Sequence, residues 1–180
     1  MPIYMKYGII TGDVTEGGHD KWIEVNSLQW GVGRGVSSAT GSASDRESSA
    51  PSLSEVTVTK DLDSASPKLL TEAFQGDGNG DAASVQFDFC RTASGKLQIY
   101  LTITLTNVII SGYSTSSGGD RPSESVSLNY VEITNNFIPM NPDGTPGNAA
   151  KVIYNTATAK AGQGVRSEGI ARRWKAPGLP

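Results

Sequence analysis

The sequence predicts a mainly β fold, an antiparallel β-barrel or sandwich with one lateral α-helix over about residues 64–75. Three observations lead there. Apolar and polar residues alternate through residues 54–60, 85–90 and 97–106, the period of half-buried strands. Helix punctuation occurs in one place only. Glycine, 21 residues of 180, recurs between the apolar runs and supplies the turns.

Taken in order, residues 3–9 form a first strand. Residues 22–32 form a second, carrying Trp22, Ile23, Val25, Leu28 and Trp30. Residues 33–53 have almost no large apolar side chain and read as a long loop, of a length that in a compact domain is functional or disordered. Residues 54–60 (SEVTVTK) place Val56 and Val58 on one face and Thr57 and Thr59 on the other. In the helix, Ser66 is the expected N-cap, with Pro67 at the first helical position. Leu70 and Phe74 lie four apart on one face, and Gly76 closes the helix. So short a helix is marginal alone and must dock on a sheet.

Val85, Phe87 and Phe89 share one face of the next strand, with Gln86, Asp88 and Cys90 opposite. Leu97, Ile99, Leu101, Ile103 and Leu105 alternate with a Thr-rich outer face, and Gly95 marks the turn of an antiparallel hairpin. Residues 123–137 read as one more long strand, 139–147 as a Pro- and Gly-rich loop, and 151–154 as the last strand.

Composition removes several function classes. The net charge is −3, so generic binding to duplex nucleic acid is a poor fit. One cysteine, Cys90, allows no internal disulfide framework. One histidine, His19, excludes any site built on two imidazoles. The opening residues MPIYMKYGII read as no cleaved signal peptide, and no apolar run suits membrane insertion. The chain is expected in the cytoplasm, leaving the cell, if it does, without a cleaved signal.

The chemical candidates dissolve one by one. Asp77, Asn79, Asp81 and Asp88 fall at calcium-loop spacing, but Ala82 stands where that loop needs glycine and a strand follows instead of a helix. A turn rich in Gly, Asp and Asn is the ordinary explanation. Gly31, Gly33 and Gly35 suggest a phosphate cradle, yet no helix follows and no P-loop lysine is present. Cys90 and His19 would be a nucleophile and base, but nothing nearby in sequence orients either. The expected roles are a structural cysteine and a loop or capping histidine. No catalytic constellation, cofactor site or metal site is expected.

Four stretches together resemble a known family. They are Gly18-His19-Asp20-Lys21-Trp22-Ile23-Glu24-Val25 with Leu28-Gln29-Trp30-Gly31-Val32; Pro51-Ser52-Leu53-Ser54-Glu55-Val56-Thr57-Val58-Thr59-Lys60 running into Asp63 and Ala65-Ser66-Pro67-Lys68-Leu69; Tyr100-Leu101-Thr102 through Leu105-Thr106-Asn107-Val108 to Ser111; and Asp120-Arg121-Pro122 with Glu124 and Ser127-Leu128-Asn129-Tyr130. Their order and span, roughly residues 3–160, resemble the hemolysin-coregulated protein family (Hcp), the tube subunit of bacterial type VI secretion. The resemblance implies a β-barrel flanked by one helix, hexameric rings stacked into a hollow tube, and a sheath and spike protein as partners. It also implies small effector proteins carried in the lumen, and export on firing. It places Gln29 on the lumen wall.

The physics of a ring adds expectations of its own. A ring needs one patch on a subunit to meet a different patch on the next. The loop at 33–53, with Asp45, Arg46 and Glu47, is a candidate clasp between subunits or between stacked rings; a solvated flexible loop is the alternative. The organisation expected is an Hcp-like β-barrel domain over 1–161 and a basic, disordered tail over 162–180, with Arg172, Arg173 and Trp174 as a candidate partner contact. The competing function is a monomeric β-sandwich module binding a small ligand or carbohydrate.

Overall fold

The computed structural model describes residues 1–38, 46–76, 84–93, 95–141 and 144–164. The strands in the first part of the chain are β1 (Ile3–Tyr7), β2 (Ile23–Val25), β3 (Ser27–Gln29), β4 (Val32–Gly33), β5 (Val36–Ser38), β6 (Arg46–Ser48), β7 (Ser52–Leu53) and β8 (Val56–Asp61). After α1 (Ser66–Gln75) come β9 (Val85–Ala93), β10 (Lys96–Thr106), β11 (Ile109–Ser116), β12 (Ser123–Asn129), β13 (Glu132–Phe137), β14 (Ala150–Asn155) and β15 (Lys160–Gly164). A seven-stranded sheet runs β15-β14-β13-β10-β9-β1-β2, a four-stranded sheet runs β11-β12-β8-β3, and every pairing is antiparallel. The mainly β architecture with one helix is the one the alternation predicts.

The core lies between the two sheets. Met5, Ile23, Val85, Phe87, Ile103 and Leu105 meet Val56, Val58, Val126 and Leu128 in one buried cluster. Burying each such side chain contributes about 1.5–3 kcal/mol.

Two expected long strands are each broken in two. The stretch at 22–32 divides at Asn26, whose N–H binds Thr59 O at 2.7 Å. Before it, β2 pairs with β1; after it, β3 pairs with β8 in the other sheet. The stretch at 123–137 divides at Tyr130 and Val131, with β12 in the four-stranded sheet and β13 in the seven-stranded one. The cause is a slip in phase. Ile23 and Val25 point inward at odd positions and Leu28 at an even one; Val126 and Leu128 are even and Ile133 is odd. A single flat strand would leave half of these side chains in solvent, so the chain turns a corner between sheets.

The expected loop at 33–53 carries two short ladders instead, β4 with β7 and β5 with β6. Gly31 N–H to Ser54 Oγ (2.8 Å) and Gly35 N–H to Ser49 Oγ (3.0 Å) brace this arm. Such pairing uses backbone groups, so it needs no apolar alternation.

The helix differs from expectation in two ways. Ser66 is its first residue, and the cap position, Ala65, has no side-chain cap. The Ala65 N–H is instead met by Asp63 Oδ1 at 3.0 Å. The buried face is Ser66, Leu69 and Glu72, whereas Phe74 is 81% exposed and Leu70 only half-buried. Gly76 closes the helix as expected, at φ 68. At the far end, β15 pairs with β14 through Gly164, so ordered sheet extends past residue 161.

Candidate functional site

The four-stranded sheet has a buried face and an open one. Val56, Val58 and Lys60 of β8, with Glu124, Val126 and Leu128 of β12, point into the molecule. The intervening residues build the outer face: Ser27 and Gln29 on β3, Thr57 and Thr59 on β8, Ser125 and Ser127 on β12. Ser27 Oγ and Thr59 Oγ1 lie 2.6 Å apart, and Thr57 Oγ1 and Ser127 Oγ 3.4 Å apart. Ser114 and Ser116 extend the same surface on β11. The face carries no lysine or arginine, and at its edge Gln29 is exposed. Apart from the Asp61 carboxylate at the end of β8, opposite Ser123, it offers many weak hydrogen-bonding groups.

Gln29 is thus joined to hydroxyls contributed by β8 and β12. The family resemblance singled out Gln29 without those neighbours, although SEVTVTK and SESVSLN carry their signal in the polar half of each alternation. Trp30 packs against the core, whereas Trp22 lies edge-on to His19, ring centroids 4.7 Å apart.

The other expected positions are not gathered here. Arg46 and Glu47 belong to β6 by backbone, opposite Ser38 and Ser37. Asp45, Arg172, Arg173 and Trp174 lie outside the described residues, as do Asp77, Asn79 and Asp81. Asp88 is committed elsewhere: it accepts from Thr102 Oγ1 (2.9 Å) and Gln86 Nε2 (3.0 Å), and His19 Nε2 stands 3.1 Å away. Among the described residues, no group of three or more His, Cys, Asp or Glu could hold a metal ion. None of their helices is long and apolar enough to cross a membrane.

Two buried polar clusters were not foreseen, and both are closed to substrate. Lys60 Nζ contacts Asp63 Oδ1 (2.7 Å) and Glu124 Oε2 (2.8 Å), with both Lys60 and Glu124 fully buried. Ser66 Oγ and the Tyr113 hydroxyl also donate to Glu124. Burial pushes the Glu124 carboxyl up, but donors from Lys60, Tyr113 and Ser66 overcome this and hold it below the usual range. Burial and the Glu124 charge push the Tyr113 phenol up to about 12. The second cluster centres on His19, which stacks on Tyr4 at 4.6 Å. Cys90 sits under the same region, fully buried, its thiol pushed up to about 11 by burial and the Asp88 charge. A thiol so held is a poor nucleophile at neutral pH.

Comparison with known proteins agrees with this architecture. The family model described as "Type VI secretion system effector, Hcp" matches residues 4–137. Protein hcp1 of Pseudomonas aeruginosa is 28% identical over 157 residues, covering 85% of this chain and 93% of that protein. A solved structure of a type six secretion system protein superposes with a TM-score of 0.79 at 28% identity, covering 89% of this chain and 99% of that one. Hcp1 from Salmonella typhimurium shares the fold at a TM-score of 0.66 and 20% identity, covering 89% and 97% of the two chains.

Proposed function

The chain belongs to the Hcp family of type VI secretion proteins, and from that premise we propose that it is a structural subunit of the secretion tube. Copies assemble head to side into hexameric rings, the rings stack, and the hydroxyl face bearing Gln29 lines the central hole. The observation that carries this reading is that face: a broad polar sheet surface with no lysine or arginine. Many weak, interchangeable hydrogen bonds let a small effector protein be held and then released, where one strong charge pair would retain it.

The arm formed by β4 to β7 is the proposed clasp, with Arg46 and Glu47 on β6 and, by sequence alone, Asp45 as the proposed charged contacts. Exposed ion pairs contribute about 0–1 kcal/mol each and weaken with salt. Stacking through them suits a tube that is assembled, fired and dissolved. The sheath, the spike protein and small effectors are the partners this role requires. Export is by contraction of the sheath, and the subunit acts by geometry without catalysis.

Light scattering combined with negative-stain electron microscopy tests the proposal across a range of salt concentrations. The expected species is annular, with roughly six times the chain's 18.9 kDa. Solitary globules at every ionic strength reject the tube reading and leave the monomeric binding module.

A further inference from the structure

A second site lies on the seven-stranded sheet. Met1, Arg91, Tyr100, Phe137, Ile138 and Met140 line an open, mostly apolar groove of about 230 Å³. Its floor is built by a β-bulge: β9 and β10 are in register at Ile99 with Cys90 and at Leu101 with Phe89, leaving Tyr100 as the extra residue. Bulges of this kind re-aim a side chain. Here Tyr100 stands with its ring 6.3 Å from that of Phe89, and its carbonyl is fixed by the Ile138 N–H at 2.8 Å.

Two buried polar atoms are unsatisfied, one on a residue that lines the groove and one on its ladder partner beside it. Arg91 Nε makes no hydrogen bond, and no carboxylate among the described residues pairs with its guanidinium. Gln98, opposite Arg91 in the ladder, donates through Nε2 to Gly144 O at 3.1 Å, while its Oε1 is buried without a partner. Buried polar groups in folded proteins are ordinarily paired, so each such atom calls for an explanation. The guanidinium calls for an anion, and a planar carboxylate matches its fork. The amide oxygen calls for an N–H close by. An acidic residue of a peptide supplies both, a carboxylate and a neighbouring backbone N–H. A fatty acid supplies only the first. The apolar walls then take the side chain next to the acidic one.

We propose that this groove binds a peptide segment of a partner protein in which an acidic residue stands beside a bulky apolar one. Arg91 receives the carboxylate, Gln98 Oε1 accepts a backbone N–H, and Tyr100, Phe137 and Met140 cover the apolar side chain. The site is separate from the hydroxyl face and does not depend on the tube reading.

The test uses the full chain and a fluorescein-labelled, end-capped peptide, Gly-Ser-Leu-Asp-Leu-Ser-Gly, with an Asp→Asn twin. Fluorescence anisotropy is expected to saturate below about 1 mM for the acidic peptide, with the twin weaker by about tenfold or more. Arg91→Gln is expected to remove that preference, and Phe137→Ala to weaken both peptides. Octanoate is expected not to compete at equal concentration. Equal binding of the twins to the wild type, absence of binding, or full competition by octanoate overturns the proposal. Particle mass is read on Arg91→Gln in parallel. Unchanged mass is expected, and altered mass overturns the proposal by assigning the groove to a contact between copies.

Discussion

His19 Nε2 lies 3.1 Å from Asp88 Oδ2, and this contact joins a loop to the middle of a sheet 69 residues away. The ring's other nitrogen lies 2.8 Å from Glu16 Oε2, and the His19 hydrogen bond holds that carboxyl below its ordinary range. Tyr4 and Trp22 enclose the ring. A histidine that would elsewhere invite a catalytic reading is here a fastener for the segment between β1 and β2.

Removing that fastener takes away one of the three side chains that meet buried Asp88. His19→Ala is expected to lower stability by about 2–3 kcal/mol, the usual loss when a hydrogen bond to a buried charged group is removed. His19→Gln, which keeps a donor, is expected to recover part of it. Urea unfolding measures both, and an unchanged midpoint in His19→Ala dismisses the fastening role.

The Lys60 and Glu124 pair sets a pH dependence. Because the folded carboxyl lies below its ordinary value of 4.5, its contribution is present above that value. It disappears as the pH falls through the lower folded value. Glu124→Gln is expected to flatten the acid limb of stability against pH, while Lys60→Met, which leaves a buried charge unpaired, is expected to cost about 3–5 kcal/mol at neutral pH. Equal acid slopes in wild type and Glu124→Gln contradict this account.

The helix separates core packing from surface. Leu69→Ala is expected to destabilise by about 2–5 kcal/mol, since Leu69 is fully buried. Phe74→Ser is expected to stay within about 0.5 kcal/mol, its ring being in solvent. Thermal and urea unfolding compare the two directly. A large loss in Phe74→Ser at unchanged particle mass refutes this placement of the helix.

Gln29→Arg introduces a fixed charge on the hydroxyl face. The expected result is altered retention of a co-purified small effector with the particle mass unchanged, read by light scattering and gel densitometry. Loss of the ring itself removes Gln29 from the lumen wall and places it at a subunit contact.

Much of this molecule was readable from residue order. Alternation in SEVTVTK and in residues 97–106 dictates strands with one buried face, because side chains on a pleated backbone repeat every second residue. The Gly76 helix end and the Gly95 turn were equally plain, since both need a left-handed backbone that glycine adopts freely. The charge balance, the single histidine and the single cysteine limited the chemistry before any fold was known.

Other features depend on what meets in space. Ser66 looks like a helix cap, but Glu124, far along the chain, draws its hydroxyl inward. Lys60 occupies an apolar phase position and is buried only because Glu124 and Asp63 arrive beside it. The hydroxyl face and the Asp88 contact of His19 each require segments distant in sequence to become neighbours. Residue order determined the local period, the turns and the stock of reactive groups, which are short-range properties of the backbone. Which polar groups are paired, buried or left open was decided by tertiary structure alone, because pairing depends on distances that only the packed sheets establish.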